Sequence, residues 1–421
     1  MSRATLILLS LVAGLLAGVG AAALSTGFAN GSLAIVGPLG SAWLAGLQMT
    51  VIPLVVALLV TAVADTAEAA GAGRVTARMI ALILGLVFVT GTVSALLTPV
   101  LLDLFPVPAQ AAGALRRALG GAEAVTPPPP LSEFFSTIVP TNVFKAAVDN
   151  ALLSLIIFTL AFAFAVTRID PAARSILVRA FAAIRDAMLV LIDWVLWLAP
   201  IGVFALAYGV GARAGTSAFG ALLHYIAIVS TIGLVVMLLA YPLAWIGGRT
   251  SPLRFARALL PAQAVAISTQ SSLASLPAML GGARTLGIPE AKAGVALPLT
   301  VAMLRATQPA MNVAIAVYIA HWFGLPVTPG ALAAAVLTGA LVSLGSISLP
   351  AQISFFASVA PVCVALGVPI EPLGLLIAVE TFPDIFRTLG NVSMDLAATA
   401  TVAAHTPEEN LHEVPQPRTA A

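Results

Sequence analysis

The chain has 421 residues, of which 60% are hydrophobic and only 9% are charged, and its formal net charge is +2. A soluble protein carries roughly 25% charged residues, so the composition excludes a soluble globular fold and predicts a polytopic membrane protein. The small net charge gives no indication of nucleic-acid binding. The single cysteine, Cys363, excludes an intrachain disulfide and a thiolate metal cluster.

The first apolar segment runs from residue 5 to residue 24. Arg3 and the small residues near its end leave open a cleaved signal peptide. We favour a retained first helix, because further apolar segments follow at once and the stretch is near the ~20 residues that a spanning helix needs. These further segments centre near residues 42–66, 79–104, 140–167, 180–210 and 220–247.

Beyond residue 250 the apolar pattern changes. Residues 254–286 and 331–371 are apolar but interrupted by Ser, Gly and Pro, and each is followed by a longer apolar segment, 290–322 and 372–404. This alternation of interrupted and continuous segments occurs twice and indicates a repeat.

Both interrupted segments contain the same four residues, Ser275 to Ala278 and Ser348 to Ala351. Proline has no N–H and its ring clashes with the preceding helical turn, so we expect Pro277 and Pro350 to interrupt their helices. Paired interruptions at corresponding positions of two halves indicate the binding site of a secondary transporter.

Basic residues fall mainly in alternate loops, and the positive-inside rule therefore predicts that both termini are cytoplasmic. This orientation predicts that residues 105–139 form an external loop. Its proline run, residues 127–130, favours a polyproline II conformation. The predicted external side carries Arg116, Arg117 and Arg213. The predicted cytoplasmic side carries Arg3, Arg74, Arg78, Arg168, Arg174, Arg179, Arg185, Arg249, Arg254 and Arg257.

The last apolar segment carries a polar stripe on one predicted helix face. Charges at membrane depth cost at least ~2.5–3.5 kcal/mol each, so they face protein or water and usually mark a transport pathway. A purely structural ion pair of Asp384 with Arg387 is the alternative, but it does not explain the neighbouring amide and hydroxyl. The stripe comprises Asp384, Arg387, Thr388, Asn391 and Asp395, with Glu380 one turn earlier.

Three segments carry a family resemblance. Residues 384–395, DIFRTLGNVSMD, resemble the last-helix signature of the glutamate/aspartate transporter family, the dicarboxylate/amino acid:cation symporters. Residues 268–277, STQSSLASLP, resemble the serine-rich tip of that family's re-entrant hairpin, and residues 295–299, VALPL, match the start of its seventh span. The resemblance extends from the first span to about residue 405.

The resemblance implies an all-α polytopic membrane protein with eight transmembrane helices, two re-entrant helical hairpins and inverted repeats. It further implies a homotrimer in a bacterial inner membrane, each protomer transporting by an elevator mechanism. Residues 1–250 would mainly form the scaffold, with spans three and six associated with the transport core. The core would comprise 251–405, with hairpin one at 254–286, span seven at 290–322, hairpin two at 331–371, span eight at 372–404, and a cytoplasmic tail at 406–421.

Carried over by resemblance, Arg387 holds the side-chain carboxylate of an acidic amino acid and Asp384 takes the amino group. Relatives for neutral amino acids lack an arginine at this position, so an acidic amino acid or a dicarboxylate is implied. For the hairpin serines, ordinary turn chemistry is the alternative. The expected substrate-binding residues are Ser271, Ser272, Gln308, Asp384, Arg387, Thr388 and Asn391.

The chain departs from the family at its sodium ligands. The family's seventh-span motif Asn-Met-Asp-Gly-Thr corresponds here to residues 304–308, LRATQ, when aligned without gaps from Pro298. Leu304 and Ala306 supply no side-chain oxygen, which hard cations require. A family Thr-Ser pair in the third span is likewise replaced by Leu86 and Val87. Asp395, another family sodium ligand, remains.

We therefore hypothesise that the Arg305 guanidinium, a permanent cation, lies near the missing sodium ions and neutralises Asp395 or a neighbouring carboxylate. A tethered cation cannot exchange with solution, which predicts sodium-independent uptake, exchange, or proton coupling through Glu380. The alternative is an alignment slip that places Arg305 near an interface or a lipid headgroup.

Secondary transport of a small anionic substrate across the bilayer is the leading function. A transporter-derived sensor, or an exchanger without ion-coupled accumulation, is the alternative. An enzyme is disfavoured, because a helix places Asp384 and Asp395 roughly 16 Å apart, too far to share a catalytic proton. No Walker motif indicates ATP-driven transport. We expect no cofactor beyond a coupling ion, either a proton or sodium at Asp395.

Overall fold

The computed structural model describes residues 3–70, 74–107, 139–149, 152–215, 217–345 and 351–406. Throughout these ranges the regular elements are helices, in agreement with the all-α prediction. The proline run 127–130 and the second repeat up to Pro350 lie outside the described residues.

The helices of the first half correspond to apolar segments, with one addition. The second apolar segment was expected at residues 42–66. In the structure, helix already begins at Thr26, upstream of that segment. These helices are α1 (Arg3–Leu24), α2 (Thr26–Gln48), α3 (Val51–Ala70), α4 (Arg74–Leu104), α5 (Val143–Val148), α6 (Leu152–Val166), α7 (Pro171–Trp197), α8 (Ala199–Ala214) and α9 (Ser217–Pro242), which continues as a π-helical turn over Leu243–Gly247.

The second half consists of shorter helices joined by brief breaks. They are α10 (Pro252–Thr269), α11 (Ser272–Thr285), α12 (Glu290–Met303), α13 (Thr307–Phe323), α14 (Pro329–Gly345), α15 (Ala351–Leu366), α16 (Leu373–Leu376) and α17 (Thr381–His405).

Four helical stretches of the described chain are long and apolar enough to cross a membrane. The pair α7 and α8, bent by 60°, passes the same criterion together. The expected count of eight transmembrane helices is therefore not confirmed, because most of the remaining apolar segments are divided into shorter helices. The four stretches are Thr5–Leu24, Thr26–Asp65, Thr76–Leu104 and Phe219–Gly247.

Glycines allow α1 and α8 to pack with their backbones in contact. A Cβ added to Gly14 would lie 2.5 Å from the carbonyl oxygen of Phe204, and one added to Gly211 would lie 2.3 Å from that of Leu15. Small residues at helix interfaces permit this close approach in membranes, where van der Waals packing drives association. The two helices therefore form a closely packed pair.

Helix α13 lies at the centre of the second half, where it packs against α4, α9 and α14. Nearly every residue along it is buried. Helix α17 packs against α9, α10, α11 and α12. The polar stripe on α17 is thereby enclosed by protein on several sides.

The prediction that Pro277 interrupts its helix is wrong. Pro277 lies inside α11, and the break between α10 and α11 falls at Gln270, which adopts a left-handed conformation with φ 51°. A missing N–H within a membrane helix is tolerated where neighbouring groups compensate. The reversal of the hairpin instead requires a left-handed residue, and Ser271 then caps α11, its Oγ accepting from Ala274 N at 3.2 Å.

The segment 290–322, expected as one span, is divided in two. Leu304 has an extended backbone, with φ −86° and ψ 98°, and a new helix begins at Thr307. Arg305 therefore lies in a three-residue break rather than on a helix face.

Candidate substrate and ion site

The polar stripe of α17 faces the break between α12 and α13, and the tip of the α10–α11 hairpin lies near its start. Gln270 Nε2 donates to the carbonyl oxygen of Thr381 at 3.3 Å, which joins the tip to the start of α17. Asp384, Arg387 and Asn391 are buried. The hairpin tip and the helix break thus both contact α17 beside the polar stripe.

Arg387 is the centre of a buried charge cluster. Its Nη2 donates to Glu380 Oε1, and its Nε lies 3.4 Å from Asp384 Oδ1. Tyr225 of α9 donates its hydroxyl to Glu380 Oε2 at 3.3 Å. Glu380 has no exposed surface and Arg387 is 9% exposed, so these charges interact away from bulk water.

Thr307, which sequence reasoning did not single out, connects α13 to the stripe. Its backbone N–H donates to Asn391 Oδ1 at 3.0 Å, and its Oγ1 donates to the same atom at 2.7 Å. Its Oγ1 also bonds the Arg387 carbonyl oxygen at 3.0 Å. The signal available in the sequence was the family motif itself, because Thr307 stands where the family has glycine.

The remaining predicted substrate residues differ in how they are placed. Thr388 donates its hydroxyl to the Asp384 carbonyl oxygen at 2.9 Å. Ser271 caps α11, and Ser272 is the first residue of that helix, so turn chemistry accounts for Ser271. Gln308 is 2% exposed at the start of α13. Their contacts with a substrate stay predictions.

Asp395 is a fully buried carboxylate. Among the described residues, neither of its oxygens has a hydrogen-bond partner. Burial of an ionised carboxylate is costly unless a cation or hydrogen-bond donors compensate. Asp395 therefore requires a cation or a proton.

Arg305 is the cation that the fold brings towards this carboxylate. It interacts electrostatically with Asp395, and also with Asp384 and Arg387. From the helix break, Arg305 thus interacts with both Asp395 and the charge cluster around Arg387. The alternative location near a headgroup is therefore not favoured by the geometry.

The two residues that flank Arg305 in the helix break carry no side-chain oxygen. Leu304 and Ala306 offer only backbone oxygens, and no group of three or more potential metal-ligating His, Cys, Asp or Glu side chains occurs in the described part of the chain. On α4, Leu86 and Val87 are buried and apolar. Ser94, two turns further on, donates to the Ala310 carbonyl oxygen at 2.6 Å.

Comparison with known proteins gives a match over nearly the whole chain. Residues 4–405 match the family described as the sodium:dicarboxylate symporter family. The chain is 28% identical over 269 residues to the proton/sodium-glutamate symport protein of Bacillus subtilis (strain 168), an alignment covering 62% of this chain and 61% of that protein.

Neutral amino acid transporters are also similar. Transporter B(0) of Rattus norvegicus is 28% identical over 254 residues, covering 58% of this chain and 44% of that protein. Transporter B(0) of Homo sapiens is 26% identical over 444 residues, covering 93% and 79%. The chain thus spans less than two thirds of the length of the first two relatives.

Proposed function

The chain belongs to the sodium:dicarboxylate symporter family, a family of membrane transporters rather than enzymes, and we propose that it carries acidic amino acids or dicarboxylates by an elevator mechanism without sodium coupling. Its relatives include proteins named for glutamate and for neutral amino acids. The choice between these substrate classes rests on the side chains of the site.

The burial of Arg387 is the observation that supports an acidic substrate. A guanidinium buried to 9% exposure is a strong site for a carboxylate, because it offers paired, charge-assisted hydrogen bonds in a region that excludes water. Asp384, 3.4 Å from Arg387 Nε, is placed to take the amino group of an amino acid. A substrate with a neutral side chain would offer this guanidinium no side-chain carboxylate to bind.

Arg305 supports the absence of sodium coupling. A tethered guanidinium near Asp395 supplies the positive charge that an exchangeable ion would otherwise bring, and Leu304 and Ala306 provide no side-chain oxygen for sodium. The coupling ion is then a proton, or the protein exchanges one substrate for another.

The proposal includes the domain arrangement expected from the resemblance. Residues 1–250 form mainly a scaffold and residues 251–405 form the moving core, with spans three and six joined to it. The protein assembles as a homotrimer in a bacterial inner membrane with both termini cytoplasmic. The packing of α17 against α9 and of α13 against α4 supports the association of those two early spans with the core.

A sensor, or an exchanger without accumulation, is the second candidate. The replacement of sodium-ligand side chains by Leu304 and Ala306 favours it, because a site without an exchangeable cation can bind substrate and yet fail to couple binding to an ion gradient.

Uptake by proteoliposomes tests the proposal. Labelled aspartate, glutamate and succinate are offered under a sodium gradient, under a proton gradient, and as counterflow into substrate-loaded vesicles. We expect uptake under the second or third condition with no effect of sodium. Sodium-driven accumulation would contradict the role of Arg305, and binding without flux under every condition would favour a sensor.

A matched pair of variants tests the acidic substrate. Arg387→Lys keeps the charge but loses the planar fork, and we expect its affinity for the three acids to fall by about tenfold or more, since each 1.4 kcal/mol is tenfold. Arg257→Lys, at an exposed position of α10, is the control and should bind the three acids as the wild type does. Unchanged binding of the three acids by Arg387→Lys would show that Arg387 is not their anchor.

A further inference from the structure

Glu380 holds the guanidinium that the substrate needs. Its Oε1 accepts from Arg387 Nη2, so in this structure an internal carboxylate stands at the place assigned to the substrate carboxylate. We propose that Glu380 is a built-in competitor: the substrate displaces it from Arg387, and the released Glu380 takes a proton from solution. This inference deepens the proposed function and rests on Arg387 being the substrate's anchor.

The exchange follows from the surroundings of Glu380. Along α17 it faces Arg387 and Asp384, and from α9 it faces Tyr225. Arg387 is the cation among these groups. Once a substrate carboxylate takes Arg387, Glu380 is left beside Asp384 and the incoming anion.

Burial then decides the charge of the released carboxylate. Glu380 has no exposed surface, and an ionised carboxylate without a cation is costly in such surroundings. A proton removes this cost. Substrate and proton therefore bind together, and linkage requires that each strengthens the binding of the other.

Tyr225 suits both states of Glu380. Its hydroxyl donates to Glu380 Oε2 at 3.3 Å. When Glu380 is protonated, the Tyr225 hydroxyl oxygen can instead accept a hydrogen bond from the carboxyl group, because a phenol is both donor and acceptor. The ring packs edge-to-face on Tyr318 of α13 at 5.4 Å between centroids, which holds the hydroxyl in place. A purely structural ion pair does not require a partner that serves both protonation states.

Asp384 is the less suitable proton acceptor for this exchange. It keeps an electrostatic interaction with Arg305 when the substrate occupies Arg387, and an amino-acid substrate brings an ammonium group to it. Glu380 has neither compensation. The geometry thus singles out Glu380 among the two carboxylates around Arg387.

Calorimetry on the purified full chain tests the exchange. Aspartate, glutamate and succinate are titrated at several pH values in buffers of different ionisation enthalpy, which gives the protons taken up per substrate. At pH values where Glu380 is ionised in the substrate-free protein, we expect the wild type to take up about one proton per substrate and its Kd to tighten about tenfold for each unit of pH decrease. Glu380→Gln should take up none, bind with a pH-independent Kd, and bind more tightly than wild type at alkaline pH.

Glu371→Gln is the matched control, because Glu371 is an exposed carboxylate nine residues before Glu380, and it should behave as wild type. If Glu380→Gln does not fold, Glu380→Asp replaces it and should keep the proton uptake with a displaced pH range. Equal proton uptake by wild type and Glu380→Gln would overturn the exchange while leaving the transporter intact. Failure of all three acids to bind wild type at every pH would overturn the proposed function and the exchange with it.

Discussion

Asp395 and Arg305 are 90 residues apart in the sequence, yet the fold makes them electrostatic neighbours. The altered seventh-span motif led to the hypothesis that Arg305 neutralises Asp395 or a neighbouring carboxylate. The structure adds that Arg305 lies in the break at residues 304–306, which no periodicity predicted. The pair is therefore the most direct place to test the absence of sodium coupling.

A double-variant cycle tests this pair. Arg305→Met leaves Asp395 buried without its cation and should lower the free energy of unfolding by about 3–5 kcal/mol, the usual cost of removing one partner of a buried charge pair. Arg305→Met/Asp395→Asn should recover most of that loss. Thermal unfolding in detergent measures both.

Sodium supplies the second readout. Arg305→Met should gain stability on addition of sodium chloride but not choline chloride, because the vacated space and Asp395 can then accept a cation. Wild type is the control and should respond equally to both salts. Additive losses in the double variant would show that the two residues are not coupled.

At the scale of the helix, both ends of α17 are fixed by other elements. Gln270 of the hairpin bonds its first turn, and Lys292 of α12 bonds its last. Lys292 is 6% exposed, and its Nζ donates to the carbonyl oxygens of Ala403, at 3.2 Å, and Thr406. A cation at a helix C-terminus satisfies carbonyls that have no partner within the helix.

We expect Lys292→Met to destabilise the protein by about 1.5–3 kcal/mol, since hydrogen bonds from a charged donor to two helix-end carbonyls are lost while the apolar stem remains. The readout is the Tm in detergent. Lys145→Met, at an exposed position of α5, removes the same charge without these bonds and should melt as wild type. Equal Tm values for the two variants would mean that Lys292 does not hold α17.

Close packing also decides how the elements meet. A Cβ added to Gly390 would lie 2.3 Å from Thr307 Cγ2, so glycine is required where α17 crosses the start of α13. This contact holds Thr307 against Asn391. The sequence presents Gly390 within the stripe, but only the neighbouring helix explains why it carries no side chain.

At the scale of the whole molecule, the elevator proposal requires α16 and α17 to move relative to α2 and α8. In this structure a Cβ added to Gly374 of α16 would lie 2.8 Å from Leu206 Cδ1 of α8 and 3.2 Å from Leu44 Cδ1 of α2. A bridge between α8 and α16 would therefore join the proposed scaffold to the proposed core.

Cysteines at Leu206 and Gly374, in a chain whose Cys363 is replaced by Ala, test this movement. A short thiol cross-linker should reduce uptake to background, because the core can no longer slide. The control pair replaces Gly247 and Thr401, whose side chains would also meet at 2.6 Å but lie within the proposed core. Cross-linking the control should leave uptake unchanged, and equal uptake in both pairs would contradict an elevator.

The sequence alone determined the class of this protein and the residues of its polar stripe. Composition predicted a helical membrane protein because apolar side chains and a scarcity of charge suit only a bilayer, and helical periodicity placed Asp384, Arg387 and Asn391 on one buried face. These are local properties, read from spacing and residue type.

The tertiary structure decided what those residues contact. It moved the hairpin break from Pro277 to Gln270, divided the seventh segment at Arg305, and brought Tyr225 and Thr307 to the stripe from distant helices. It also placed Glu380 on Arg387. Such contacts depend on backbone turns and on helix packing, neither of which is encoded in the periodicity of a single segment.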